Sequence, residues 1–142
     1  MKKIILFCTV ALALSACLNG GNQPQSAATE SCDIVIPNIL GFDPETGIAE
    51  MRGHLDSLGV TRVYKFEADS GRVLSLALTT DSIPANVRIN QIISPSSVSD
   101  GPFGQSLDYS LVETGEWTVI VGGSLMQGDD YRGGFSLKAT LK

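Results

Sequence analysis

Apolar and polar residues alternate with a period of two along most of the chain beyond residue 32. Successive side chains of a β-strand point to opposite faces, so each such run has one face for a core and one wetter face. The five clearest runs are residues 63–68, 74–79, 107–112, 116–121 and 135–142. Their inward faces are expected to begin at Tyr64, Leu74, Leu107, Trp117 and Phe135. No segment beyond residue 32 shows the apolar stripe of an amphipathic helix.

Weaker alternation and intervening turns complete the pattern. The three weaker runs are residues 33–39, 48–56 and 86–93. The last of them places Val87, Ile89 and Ile93 on one face. Turn formers such as Asp100-Gly101-Pro102 separate the runs. About eight short strands at nearly regular spacing predict an all-β, antiparallel sandwich or barrel, and the many inward aromatic and leucine residues favour two sheets packed face to face.

The start of the chain has a different pattern. Lys2 and Lys3 precede an apolar run over residues 4–14. A membrane-spanning helix needs about 20 apolar residues, so this shorter run is typical of a secretory signal. It leads into Leu14-Ser15-Ala16-Cys17, which resembles the bacterial lipobox. That resemblance implies cleavage before Cys17, a diacylglycerol on the Cys17 sulfur, and acylation of the new amine by a fatty acid such as palmitate.

The lipobox divides the chain into three parts. We predict a lipoprotein signal peptide at residues 1–16, a lipidated flexible tether at 17–31 and a β-sandwich domain at 32–142. The tether has too little apolar surface to fold. Two or more acyl chains hold a protein firmly on a membrane. Leu18, rather than Asp, follows the cysteine, which favours the outer membrane of a Gram-negative envelope, with the domain facing the periplasm.

Charge and cysteine content narrow the classes of partner. The whole chain has 10 basic and 15 acidic residues, and losing Lys2 and Lys3 with the signal gives a net charge of about −7. This excess argues against nucleic acid, whose phosphates need a basic face. It is compatible with a basic protein or with calcium. Cys32 is the one cysteine left for the domain, either as a shielded thiol or as a partner for another chain.

The sequence contains few residues that could act in catalysis or bind a metal or cofactor. His54 is the single histidine and is expected at the surface, and no Gly-x-Ser-x-Gly motif is present. The acid pairs Asp43/Glu45 and Asp129/Asp130 have calcium-binding oxygens but lack the EF-hand spacing, so we interpret them as turn acids. Trp117 is in register with Val119 and Val121 and is expected in the core rather than stacked on a sugar. We therefore predict a non-enzyme with no cofactor and no metal.

Five motifs, in order, resemble a known family. Residues 64–76 read Y-x-F-x-A-x-x-G-x-x-L-x-L, and Asp100-Gly101-Pro102 and Tyr109-x-Leu111 follow. The aromatic and aliphatic positions of two later strands lie at residues 115–121 and 135–141. Together they resemble the bacterial pre-peptidase C-terminal domain and the related periplasmic inhibitors of goose-type lysozyme, over about residues 47–142. The resemblance implies a jelly-roll-like β-sandwich without catalytic residues. Its lysozyme-inhibiting members block the enzyme with loop side chains.

The resemblance and the loops together suggest where a partner would bind. The inhibitors have an Arg-rich last loop, whereas here Arg132 is the only base, beside Asp129 and Asp130. The candidate contact residues are Tyr64, Asp100, Tyr131 and Arg132. The longest unpatterned segments, residues 94–106 and 124–134, are expected to carry the function, because binding residues concentrate on loops.

These observations define the functional hypothesis and its alternatives. The first hypothesis is a membrane-anchored, non-enzymatic envelope lipoprotein that binds a protein, with lysozyme inhibition as its most specific form. The alternatives are a carbohydrate-binding module, which requires an exposed aromatic row, and a structural accessory of an envelope complex.

Overall fold

A computed structural model describes residues 36–126 and 128–142, which form nine β-strands. The strands are β1 (Asn38–Ile39), β2 (Ile48–Leu55), β3 (Thr61–Ala68), β4 (Val73–Thr80), β5 (Arg88–Ile93), β6 (Ser99–Asp100), β7 (Ser106–Ser110), β8 (Gly115–Gly122) and β9 (Gly133–Leu141). No helix within these two ranges is long and apolar enough to cross a membrane. The predicted signal, the lipidation site Cys17, the tether and Cys32 lie outside the described residues.

The strands form two sheets, which confirms the predicted all-β sandwich. One sheet has the order β1-β3-β8-β5-β6, and the other has the order β2-β9-β4-β7. All pairs are antiparallel except one, since the short edge strand β1 runs parallel to β3, with Asn38 opposite Tyr64. The strand count exceeds the expected eight because Ser99 and Asp100, within a segment predicted to be a loop, pair with the end of β5.

The core consists of the inward faces of both sheets, as the alternation predicted for most strands. Trp117, Val119 and Val121 are each at most 1 % exposed, and Phe135 and Leu137 face them from the other sheet with 2 % exposure or less. Burial of these alternate positions removes apolar surface from water, which is the main force that stabilises such a sandwich.

The predicted inward face of β5 was wrong at one position. The strand carries a bulge, because Ile89 pairs with Val121 whereas Gln91 pairs with the adjacent Ile120. One extra residue on a bulged strand reverses the alternation beyond it. Ile92 is therefore buried at 1 % exposure, and Ile93, which was predicted to face inward, is only partly buried.

Three loops emerge together at one end of the sandwich, here called the loop end. They are residues 56–60, 81–87 and 123–132, which join β2 to β3, β4 to β5, and β8 to β9. The pairing fixes their location, since Gly122 at the end of β8 lies opposite both Thr61 and Arg88, where β3 and β5 begin. In the other sheet, the β2–β9 pair ends toward the same side with Leu55 opposite Gly133, and the β4–β9 pair ends there with Thr80 opposite Phe135.

Near the loop end, one glycine allows the two sheets to pack closely. Gly53 lies opposite Phe135 on the neighbouring strand, and the Phe135 ring covers it. A Cβ atom added at Gly53 would contact this ring and would lie 2.7 Å from the Tyr64 hydroxyl of the other sheet. No real Cβ atom tolerates such a distance, so the absence of a side chain at residue 53 is a packing requirement.

Replacing Gly53 with Ala should therefore lower the free energy of unfolding by about 1–3 kcal/mol, the usual cost of overpacking a core. Urea unfolding followed by circular dichroism measures the change. Gly41→Ala is the matched control, because a Cβ atom there meets no heavy atom within 4 Å. Equal stability of the two variants would contradict this account of Gly53.

Candidate functional site

A cleft of about 510 Å³ opens at the loop end. Its walls come from residues 84–88, residues 103–105 and the last long loop, including Ser124 and residues 128–131. Both segments predicted to carry function, residues 94–106 and 124–134, thus contribute to the same concave surface. A second depression of about 560 Å³ adjoins it and shares Pro84, Ala85 and Gln105.

The Asn86 side chain, in the loop of residues 81–87, forms hydrogen bonds with the backbone of the loop of residues 123–132. Its Nδ2 donates to the backbone carbonyls of Ser124, at 3.0 Å, and Asp129, at 3.1 Å. Its Oδ1 accepts a hydrogen bond of 2.8 Å from the Ser124 amide N–H. Because both carbonyls bind one amide group, the ends of the segment between Ser124 and Asp129 are held together. We refer to this arrangement as the Asn86 clamp.

Two of the four predicted contact residues lie in this loop. Tyr131 lines the cleft but is only 7 % exposed, and its hydroxyl donates a 2.7 Å hydrogen bond to the Gly134 carbonyl. Arg132 is exposed, and its Nε donates to the Asp130 carboxylate at 3.0 Å. An exposed ion pair of this kind contributes little to stability, so Arg132 remains available to a partner.

Tyr64, the third predicted contact residue, lies in the core. It has no exposed surface, and its hydroxyl has no hydrogen-bond partner among the described residues. Burial raises the pKa of Tyr64, and the positive charge of nearby Arg62 offsets part of that rise. Tyr64 therefore has no surface that could contact a partner while the sandwich stays folded. Arg62 is partly exposed and forms an ion pair with Asp56 at 3.1 Å.

Asp100, the fourth, is exposed at the end of β6 and does not line the cleft. Its carboxylate accepts a hydrogen bond from the Gly101 amide. Burial raises the pKa of Tyr109, and the negative charge of Asp100 raises it further. The structure therefore brings Tyr131 and Arg132 together at the loop end and leaves Tyr64 and Asp100 elsewhere.

The other chemical candidates have ordinary structural surroundings. His54 is exposed, with its Nε2 3.5 Å from Asp56, as expected for a surface histidine. Trp117 is in the core, as predicted, and its Nε1 donates to the Glu113 carbonyl. Hydrogen bonds from the backbone amides of Thr46 and Glu45 lower the pKa of Asp43. Across residues 36–126 and 128–142, no group of three His, Cys, Asp or Glu side chains is placed to hold a metal ion.

Sequence reasoning missed Asn86 and three exposed apolar residues of the same two loops. The alternation of residues 86–93 predicts Asn86 at the start of a strand. Its hydrogen bonds reach carbonyls some 40 residues away in the chain. Ile83, Leu125 and Met126 are 93 %, 72 % and 97 % exposed. Isolated apolar residues in loops have no periodicity, so only the fold shows that they belong to one end of the molecule.

The fold is similar to that of several proteins of known structure. No protein-family model and no curated protein sequence matches the chain. Among solved structures, the periplasmic inhibitor of g-type lysozyme from Aeromonas hydrophila aligns over 75 % of this chain and 96 % of its own, with a TM-score of 0.60 and 16 % identity. The corresponding inhibitor from Salmonella Typhimurium aligns over 75 % and 98 %, with a TM-score of 0.56 and 16 % identity.

A further solved structure is the pre-peptidase C-terminal domain of a collagenase from Bacillus anthracis. It aligns over 75 % of this chain and 95 % of its own, with a TM-score of 0.49 and 13 % identity. The lysozyme inhibitors and this domain are the two groups that the sequence motifs resembled. The similarity to the two lysozyme inhibitors, at 16 % identity, establishes the β-sandwich fold. A fold of this kind does not by itself define a function.

The two buried tyrosines differ in whether their hydroxyls have a hydrogen-bond partner, so replacing each with Phe should affect stability differently. Tyr131→Phe should lower the free energy of unfolding by about 1 kcal/mol, because it removes a satisfied hydrogen bond. Tyr64→Phe should leave stability at pH 7 unchanged or higher, because it removes a buried hydroxyl without a partner. Urea unfolding of both variants measures the contrast, and a larger loss for Tyr64→Phe would show that its hydroxyl does have a partner.

The Tyr64 hydroxyl also makes stability depend on pH. The raised pKa of Tyr64 keeps its phenol neutral in the folded state after the unfolded state has begun to ionise near pH 10. The stability of the wild type therefore falls as pH rises through this range, and Tyr64→Phe should lose less stability.

Proposed function

We propose that this protein is a non-enzymatic, lipid-anchored envelope protein that binds another protein at its loop end, and that it inhibits a g-type lysozyme. The observation that carries the proposal is the agreement between the complete sandwich and two lysozyme inhibitors, which align over almost their whole lengths. The loops of this sandwich form a concave, partly apolar surface, and binding sites commonly occur on loops held by a rigid scaffold.

The distribution of aromatic residues supports a protein ligand over a glycan. Sugar-binding surfaces stack sugars on exposed aromatic rings, whereas Tyr64, Phe66, Trp117, Tyr131 and Phe135 are all buried here. Phe103 and Tyr109 are partly buried and pack edge to face on each other. The described surface thus lacks the aromatic row that the carbohydrate-binding alternative requires.

The N-terminal sequence supports a location in the envelope. We propose that residues 1–16 are removed, that Cys17 carries the lipid, and that residues 17–31 tether the domain to the periplasmic face of the outer membrane. Both inhibitors in the comparison are periplasmic proteins. A tether of this length would let the loop end reach an enzyme that enters the periplasm.

The proposal predicts a direct effect on lysozyme. The full chain, purified from membranes in detergent, should slow the lysis of cell walls by g-type lysozyme in proportion to its concentration. Turbidity measured against a detergent-only control gives the inhibition, and the same assay with chicken-type lysozyme tests for selectivity. Undiminished lysis by g-type lysozyme at a large molar excess of the protein would contradict the inhibitor function.

A separate experiment tests the anchor. Cys17→Ala removes the sulfur that would carry the diacylglycerol, so the variant should be found in the soluble periplasmic fraction. Fractionation and immunoblotting compare it with the wild type, and Cys32→Ala is the matched control that should remain in the membrane fraction. Membrane retention of Cys17→Ala would show that another element holds the protein there.

A further inference from the structure

The described surface exposes eight large apolar residues, and three of them belong to the two clamped loops. Ile83 lies in the loop of residues 81–87, and Leu125 and Met126 lie in the loop of residues 123–132. Ile83 and Met126 are the two most exposed of the eight, at 93 % and 97 %. We refer to Ile83, Leu125 and Met126 as the apolar tips.

The hydrogen bonds of the Asn86 clamp hold the backbone next to the apolar tips in place. Ser124 is 3 % exposed and directly precedes Leu125, so this part of the loop is anchored where the tips begin. Ile83 is three residues before Asn86 itself. A loop that is already held in place loses less conformational freedom when a partner binds, so more of the interaction energy contributes to affinity.

The charges around the apolar tips define the kind of partner that fits them. The two loops carry three acids, Asp81, Asp129 and Asp130, and a single base, Arg132. Arg132 already pairs with Asp130, whereas Asp81 and Asp129 form no ion pair among the described residues. The whole chain is also acidic, with a net charge of −5. Such a field attracts a basic molecule and repels an acidic one.

We infer that Ile83, Leu125 and Met126 are the anchor residues of the interface and enter an apolar recess on a basic protein, while Asp81 and Asp129 face its positive charges. Asn86 is a positioning residue for Leu125 and Met126. This inference rests on the proposed function and adds to it the contact surface and the chemistry of the partner. Apolar anchors surrounded by charged residues are the common arrangement of protein interfaces.

Calorimetric binding of the detergent-purified full chain to g-type lysozyme tests the inference. The double variant Leu125→Ser/Met126→Ser, and separately Ile83→Ser, should each weaken binding about tenfold or more, as expected for anchor residues. The matched control is Val98→Ser/Val112→Ser, which removes side chains of 65 % and 75 % exposure from loops at the opposite end. It should bind like the wild type, and circular dichroism should show unchanged melting for all variants.

Three further variants distinguish the positioning role of Asn86 and the charges of Asp81 and Asp129 from direct contact by the apolar tips. Asn86→Asp keeps the acceptor for the Ser124 amide but loses both donations, so it should weaken binding without removing any exposed apolar surface. Adding Leu125→Ser/Met126→Ser to it should then cost less than in the wild type. Asp81→Asn/Asp129→Asn should slow association at low salt and converge with the wild type at high salt.

The outcomes distinguish the inference from the proposed function. If the wild type neither binds nor inhibits the lysozyme, the proposed function is wrong and this inference falls with it. If the wild type binds and the apolar-tip variants bind equally well, the proposed function stands and the inference is overturned. Weakened binding in the tip variants, with an unaffected control pair, supports both.

Discussion

Burial of alternate side chains between two sheets is the constraint on which the rest of the structure depends. Trp117, Val119 and Val121 from one sheet pack against Phe135 and Leu137 from the other. A slip of one residue in any strand except the two-residue edge strands β1 and β6 would turn its apolar face to water. The core therefore fixes the register of the longer strands. The register in turn decides where each strand ends, and hence which loops meet. The loop end is therefore a consequence of core packing.

Much of this core could be predicted from sequence because its signal is local. Alternation around Leu74, Trp117 and Phe135 spans only a few residues and reports directly which side chains are buried. The bulge in β5 could not be predicted in the same way, because an extra residue at Asn90 becomes visible only when Ile89 and Gln91 are matched with β8. The parallel pairing of β1 likewise depends on a partner strand distant in sequence.

The candidate site was less predictable because its parts have no shared pattern in the chain. The structure places two of the predicted contact residues, Tyr131 and Arg132, in the long loop at the loop end. Tyr64 is an aromatic residue in a strand, and strand aromatics usually face a core, as it does here. Asn86 acts through backbone carbonyls, which carry no sequence information. A clamp between two loops can be identified only after the strands that support them have been placed.

The position of Trp117 has a practical consequence. It is the only tryptophan in the sequence and is 1 % exposed. It lies opposite Phe66 on the neighbouring strand, toward the end of the sandwich that is opposite the loop end. Intrinsic fluorescence will therefore report the loss of the core during unfolding but stay almost silent when a ligand occupies the loop end. A fluorescence measurement of binding therefore needs a label attached at the loop end. The emission of Trp117 in the same sample then shows whether the domain remains folded.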